Sequence, residues 1–195
     1  MPNYRQWQPW AMHPSPKWEY KPSRLDKPPQ PCYDSSMLLA TEIRDFLTQS
    51  NLIEGIEREP THLEIEATSR FLALDYLTVQ DVCNLVKVYQ PSRPVGELRL
   101  RPNQNVQVGK YVAPAGGPHM TVRLASLLAD VNSNAASPYD LHLQYEQLHP
   151  MTDGNGRSGR AIWLWQMIKR VHLNPLSLPL GFLHKFYYDT LSANQ

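Results

Sequence analysis

One short segment combines residue types that could do chemistry on a phosphate. It reads His149-Pro150-Met151-Thr152-Asp153-Gly154-Asn155-Gly156-Arg157-Ser158-Gly159-Arg160. Because a proline disfavours helical geometry in the residue before it, Pro150 predicts that a helix ends at His149. Gly154 and Gly156 can adopt backbone angles that turn consecutive N–H groups inward as an anion nest. We therefore predict a phosphate site that faces a histidine.

The two arginines of this segment lie in the first turn of a second helix, which we predict to begin near Gly156. The N-terminal end of a helix is partly positive, so an exposed cation there costs about 0.3–1 kcal/mol. Arg157 and Arg160 are three residues apart and can face the same point, where we expect an anion. The planar guanidinium suits phosphate oxygens better than an ammonium does. Each arginine alone could lie on a solvated helix face, but the whole set favours a phosphate site.

A dinucleotide site is a weaker interpretation of the same residues. Gly154, Gly156 and Gly159 satisfy GxGxxG, but that fingerprint follows a strand and needs an acidic residue about 20 positions later. Here the pattern follows a predicted helix, and the only acid after Asp153 is Asp189. We therefore reject a dinucleotide-binding fold.

A metal cluster is a second alternative. His142, Glu146 and His149 fall at i, i+4 and i+7 and resemble half of a di-iron carboxylate site. The only other Glu-x-x-His pattern, at 59–62, is interrupted by Pro60. We expect His142 and Glu146 to orient their helix or to pair on its surface instead.

The composition is that of an ordinary globular protein. The chain has 195 residues, 42% apolar and 19% charged, with a net charge of +1. This is enough for one core, and the charge gives no bulk attraction to nucleic acid or an anionic membrane. Cys32 and Cys83 form neither a zinc motif nor a disulfide framework. With no signal-peptide or membrane-span pattern, we expect a soluble, cytoplasmic protein.

Proline and tryptophan set the N-terminal region apart from the rest. Residues 1–33 hold eight of the eighteen prolines and three of the five tryptophans. Proline at this density excludes regular helix and removes strand donors. We assign 1–34 to an extended arm, which packs on the domain or docks a partner, and 35–195 to one domain.

Apolar residues after the arm recur at three- and four-residue spacing, which predicts a mainly α-helical bundle. The predicted helices lie near 35–54, 61–76, 78–89, 120–132, 138–149, 156–171 and 180–193. The exception is 105–112, where Val106, Val108 and Tyr111 flank Gly109-Lys110. This pattern predicts a short β-hairpin.

The segment 149–160 resembles the signature of the Fic family, His-Pro-Phe-x-Asp/Glu-Gly-Asn-Gly-Arg-x-x-Arg. It matches at every defined position except Met151, which stands where phenylalanine is usual. Methionine can fill the same apolar pocket. Residues 186–191 are similar to the family's last core helix, so the resemblance covers about 35–195. It implies a Fic-type helical bundle in which the hairpin is a flap.

The resemblance also implies an activity. It is that of a protein adenylyltransferase, which transfers AMP from ATP, with Mg²⁺, to a Ser, Thr or Tyr hydroxyl of a target protein. His149, with a usual pKa near 6.5, is then the general base. Asp153 supplies an oxygen ligand to Mg²⁺. The implied nucleotide-binding residues are Gly154, Asn155 and Gly156 at the α- and β-phosphates, Arg157 at the β-phosphate and Arg160 at the γ-phosphate.

Two further segments are similar to parts of this family. Residues 50–55 match its inhibitory motif, Ser/Thr-x-x-x-Glu-Gly/Asn, through Ser50, Glu54 and Gly55. This implies that Glu54 pairs with Arg160 in the place of the γ-phosphate. Residues 95–99, followed by the hairpin, are similar to the segment leading into the family's target-docking flap, to whose edge a target loop can add as a strand. The implied flap residues are Val106, Gln107, Val108, Gly109, Lys110 and Tyr111.

Other activities of the same fold stay open. Relatives resembling Doc carry a lysine where Gly156 stands and move the γ-phosphate, so Gly156 favours AMP transfer. Some members use the inhibitory glutamate to remove AMP, so the direction of the reaction is open. A silent nucleotide-binding or interaction module is disfavoured by the intact His149, Asp153 and arginines. Homo-oligomerisation and the target protein are also left open.

Overall fold

The structure is a computed structural model, and it describes residues 40–90, 97–108 and 111–171. This part of the chain is mainly helical, as the sequence predicts, with one antiparallel hairpin. The elements are α1 Ala40–Ile53, α2 His62–Ala73, α3 Val79–Tyr89, β1 Gln107–Val108, β2 Tyr111–Val112, α4 His119–Ser133, α5 Pro138–Leu148 and α6 Asn155–Lys169.

Side-chain caps fix where three of these helices begin. Thr61 and Glu64 form a capping box at α2, and Thr78 and Asp81 form another at α3. Ser137 caps α5 by accepting a hydrogen bond from the N–H of Asp140. Such caps satisfy N–H groups that have no partner within the helix. The starts of these three helices are therefore determined by the local sequence.

Helix α6 lies at the centre of the bundle, where α1, α2, α3 and α5 all pack against it. Its side chains are buried around most of its circumference, and Trp165 is fully buried with its indole N–H donating to the carbonyl of Leu74 (2.7 Å). A helix buried on all sides is held by its neighbours rather than by one apolar stripe. The first turn of α6 is consequently held in position by several helices.

The predicted elements agree with the structure over the described residues, with small shifts at their ends. Helix α2 stops at Ala73, three residues before the predicted end, because Leu74 has an extended backbone. The predicted helix at 180–193 and the arm at 1–34 lie outside the described residues. An isolated antiparallel bridge between Leu98 and Met151 was not predicted. No helix in the described ranges has the length and apolarity needed to cross a membrane.

Candidate active site

His149 lies where α5 ends, as Pro150 predicts. It is the C-cap residue of α5 and has a left-handed backbone, with φ 47° and ψ 58°. Non-glycine residues adopt this conformation rarely and persist in it only where the surroundings hold them. Here the N–H of His149 donates to the carbonyl of Tyr145 (2.9 Å), so the left-handed residue closes the helix.

The imidazole of His149 is half-buried beside the main-chain carbonyl of Glu146, and its Nδ1 atom is buried with no hydrogen-bond partner in the described part of the chain. Burial lowers the pKa of His149, and the charge of Arg99 lowers it further. The carbonyl of Glu146 and the charges of Glu54 and Asp153 act in the opposite direction, but the net pKa is below the usual value. The lowered pKa favours the neutral ring at neutral pH, which has one nitrogen free to accept a proton.

The loop after His149 is closed by the side chain of Asn155. Its Oδ1 accepts from the N–H of Met151 (2.8 Å), and its Nδ2 donates to the carbonyl of Met151 (2.9 Å). Only the main chain of Asn155 is thus left to face a phosphate. Met151 is itself fully buried in the core, where it fills the place predicted for an apolar anchor.

Gly154 forms the turn from this loop into α6. Its φ of 79° is left-handed, and a Cβ there would lie 3.1 Å from Cγ1 of Val86. Its N–H donates to Oδ1 of the half-exposed Asp153 (2.7 Å), which holds that carboxylate at the start of α6. As the N-cap residue, Gly154 provides no side-chain cap for the first turn. The partly positive end of α6 is therefore open to an anion from another part of the chain or from a ligand.

The carboxylate of Glu54 is the anion that lies against this helix end. It sits over Gly156 so closely that a Cβ on Gly156 would clash with Oε1 of Glu54. The same Oε1 accepts a hydrogen bond from Nη2 of Arg160 (2.7 Å). Arg160 also donates from Nε to Oγ of Ser50 (2.8 Å) and from Nη2 to the Ser50 carbonyl (2.9 Å). The structure thus brings Ser50, Glu54 and Arg160 together as the sequence predicts.

Gly55 allows Glu54 to leave the helix. Its φ is +69°, and its N–H donates to the carbonyl of Leu52 (3.0 Å) just beyond the end of α1. Glycine takes this left-handed geometry without the steric cost of a side chain. The chain therefore turns away after Glu54 and leaves its carboxylate over α6.

Arg157 has a different partner. It is 1% exposed, its Nη1 lies 3.7 Å from Oε1 of Glu64, and its guanidinium stacks over the ring of Tyr89 at 5.4 Å. Both Nη atoms are buried and make no hydrogen bond within the described part of the chain. A buried cation with unused donors is costly unless an anion approaches it. Arg157 and Arg160 therefore do not share one protein partner, although both lie at the first turn of α6.

The hairpin carries the predicted flap, of which Gly109, Lys110 and the side chain of Val108 lie outside the described residues. Gln107 pairs with Val112, Val108 pairs with Tyr111, and the N–H of Ala113 donates to the carbonyl of Val106 (3.0 Å). The hydroxyl of Tyr111 donates to the carbonyl of Gln147 (2.9 Å). The hairpin is therefore tied to the last turn of α5, two residues before His149.

Comparisons with known proteins agree with this fold and motif. Residues 76–167 match the family model described as Fic/DOC family. A crystal structure of a Fic domain containing signaling protein from Bacteroides thetaiotaomicron has a similar fold, with a TM-score of 0.50 and 22% identity. That alignment covers 72% of this chain and 68% of the other. A comparison with curated proteins returned no match. Ser50 and Glu54 precede the matched residues.

Sequence reasoning missed two residues that hold the site together. One is Glu64, whose carboxylate binds Arg58, the capping hydroxyl of Thr61 and, more distantly, Arg157. The other is Arg99, which in the sequence is only part of the segment leading to the flap. Its one signal there is an arginine between two leucines, Leu98 and Leu100.

Proposed function

We propose that this chain is a protein adenylyltransferase, which transfers AMP from ATP to a Ser, Thr or Tyr hydroxyl of a target protein. Members of its family generally transfer nucleoside monophosphates to proteins. The strongest support is the position of the Glu54 carboxylate, an anion bound by Arg160 at the open end of α6. A phosphate oxygen carries the same charge and accepts the same hydrogen bonds.

His149 is the proposed general base. Its Nε2 accepts the proton of the target hydroxyl as the hydroxyl oxygen bonds to the α-phosphorus of ATP. The bond between the α-phosphorus and the bridging oxygen breaks, and pyrophosphate leaves. The main-chain carbonyl of Glu146 beside the ring favours a hydrogen on Nδ1, which leaves Nε2 as the acceptor.

The proposed phosphate contacts come from α6. The main-chain N–H groups of Asn155 and Gly156 are the proposed donors to the α- and β-phosphates, since the N–H of Gly154 already donates to Asp153. Arg157 is the proposed donor to the β-phosphate and Arg160 to the γ-phosphate. The unused Nη atoms of Arg157 favour this role, since a phosphate would supply the acceptors they lack. These donors would hold the α-phosphate in line and stabilise charge on the departing pyrophosphate.

Asp153 is the residue that would hold Mg²⁺. Its carboxylate is half-exposed beside the proposed phosphate site, and oxygen ligands of this kind suit magnesium, which binds one or two carboxylates together with phosphate oxygens. The bound ion would neutralise phosphate charge.

Glu54 is proposed to keep the enzyme in a resting state. Its carboxylate uses an Arg160 donor that the γ-phosphate would need, so ATP can bind only with its phosphates misplaced. Gly156 also favours AMP transfer, because Doc-like relatives, which move the γ-phosphate, carry a lysine at this position.

The proposal is tested by incubating the Glu54→Gly variant with ATP labelled at the α- or the γ-phosphate. Label from the α-phosphate alone is expected, and His149→Ala in the same background should remove it. Label from the γ-phosphate alone would indicate phosphotransfer, and label from neither would indicate a silent module. If wild type removes the α-label from pre-labelled protein, Glu54 serves AMP removal.

A further inference from the structure

Arg99 is the most deeply buried charged residue near the candidate site. Its side chain is 0% exposed, yet its four hydrogen bonds all go to main-chain carbonyls. Nε donates to His149 (2.6 Å) and Nη2 to Leu148 (3.0 Å). These carbonyls belong to the C-terminal end of α5, which is partly negative and lacks helical partners. Arg99 therefore caps the helix that presents His149.

The remaining side-chain hydrogen bonds of Arg99 reach the hairpin. Nη1 donates to the carbonyls of Gln104 (2.9 Å) and Pro114 (2.9 Å), which lie on the two sides of the β1–β2 hairpin. One guanidinium thus joins both legs of the hairpin to the end of α5. Arginine's rigid fork allows this, because its donors point in several fixed directions at once.

The main chain of Arg99 belongs to the same junction. Its N–H donates to the carbonyl of Pro150 (2.9 Å), and its carbonyl accepts from the N–H of Gly117 (2.7 Å). His149 needs such support, because its left-handed backbone is uncommon for a residue with a side chain. Arg99 therefore holds the main chain on both sides of His149 through hydrogen bonds.

From this geometry we infer that Arg99 is a positioning residue, which sets His149 and the target-docking hairpin in register with each other. The inference rests on the proposed function, in which the hydroxyl held by the hairpin must reach Nε2 of His149. The proposed nucleotide contacts lie at the start of α6 and do not involve Arg99. Loss of the fork should therefore lower the transfer rate and leave nucleotide affinity unchanged.

The pH behaviour of His149 gives a second readout. The charge of Arg99 lowers the pKa of His149 in addition to burial, against Glu54 and Asp153, which raise it. Replacing Arg99 by glutamine removes the positive charge, so the His149 titration should move to higher pH. The acid limb of the transfer rate, which follows neutral His149, should move upward with it.

The test compares Arg99→Lys and Arg99→Gln with Arg101→Lys and Arg101→Gln, whose side chain is exposed two residues away. In the Glu54→Gly background at saturating ATP, Arg99→Lys should label itself about 10–100-fold more slowly, with ATP affinity by calorimetry within about twofold. The Arg101 variants should label at the parent rate. Equal rates for Arg99→Lys and Arg101→Lys, with both proteins folded, would overturn the inference.

Histidine NMR separates this inference from the proposed function. The His149 signal is identified by its loss in His149→Ala, and its titration midpoint is measured without any transfer reaction. A higher midpoint in Arg99→Gln than in Arg101→Gln supports positioning by Arg99, and an unmoved midpoint contradicts it. If the parent does not label from ATP, the proposed function fails while this titration still decides. If Arg99→Gln does not fold, Arg99→Lys decides through its labelling rate and ATP affinity.

Discussion

The two arginines at the start of α6 pair with carboxylates that differ in almost every physical respect. Glu64, beside Arg157, is 2% exposed and is also held by Arg58 and Thr61 within the capping box of α2. Glu54, on Arg160, is 38% exposed and stands just beyond the end of α1. A buried carboxylate with several partners is part of the fold, whereas a partly exposed one at a helix end can be displaced. We infer that a ligand competes with Glu54 for Arg160, whereas Glu64 stays beside Arg157.

The pKa of Glu64 reflects this difference. Burial alone would raise the pKa of this carboxyl, but the hydrogen bonds from Arg58 and Thr61 outweigh it and hold the pKa below its usual value. A carboxyl with a lowered pKa is stabilised in its charged form, and that stability is lost as pH falls through the folded-state pKa. Glu64 therefore keeps its charge at neutral pH and keeps Arg157 in position.

The largest expected effect lies outside both pairs, at His149. In the Glu54→Gly background, His149→Ala should lower the rate of AMP transfer by about 10²–10⁴, because the target hydroxyl loses its base. ATP affinity should stay nearly unchanged, since His149 is not a proposed phosphate ligand. Calorimetry with ATP and Mg²⁺ checks this. A collapse of ATP affinity together with activity would make His149 a structural residue.

The structural role of Glu64 is tested by measuring the free energy of unfolding. Glu64→Gln should lower the free energy of unfolding by about 2–4 kcal/mol, because the buried Arg157 loses its counter-charge. Glu66→Gln on the same helix is the control, since its pair with Arg70 is exposed, with side chains 47% and 70% accessible, and should cost about 0.5 kcal/mol or less. Urea unfolding measures both. An equal loss of free energy of unfolding in the two variants would mean that Glu64 behaves as an ordinary surface glutamate.

The pair of Glu54 and Arg160 is tested by measuring the selectivity for ATP over ADP. In the Glu54→Gly background, Arg160→Ala should lower the affinity for ATP about tenfold more than the affinity for ADP, because only ATP offers a γ-phosphate to this guanidinium. A ratio of affinities is used because Arg160 also binds Ser50, so the variant changes the local structure for both nucleotides. Equal losses for ATP and ADP would rule out Arg160 as the γ-phosphate ligand.

The sequence predicts local features of this protein well. The end of α5, for example, follows from Pro150. The pairing of Glu54 with Arg160 was also predicted, but only through a family resemblance, since 106 positions separate the two residues.

Contacts that depend on three-dimensional convergence were not predicted. The fork of Arg99 binds carbonyls from three chain segments, and carbonyls carry no sequence signature. The approach of Glu64 to Arg157 depends on how α2 packs against α6. The residues that support the site were thus the hardest to predict, because their partners are main chain or lie on distant helices.

Self-labelling with α-labelled ATP tests the central claim, that Glu54 holds the place of the γ-phosphate on Arg160, most directly. The rates of wild type, Glu54→Gly and Glu57→Gly are compared, with Glu57 as an exposed acid three residues further along the chain. Glu54→Gly should label about 10²-fold faster than wild type, because the α-phosphate is no longer misplaced, and Glu57→Gly should match wild type. Equal or lower labelling by folded Glu54→Gly would contradict the claim.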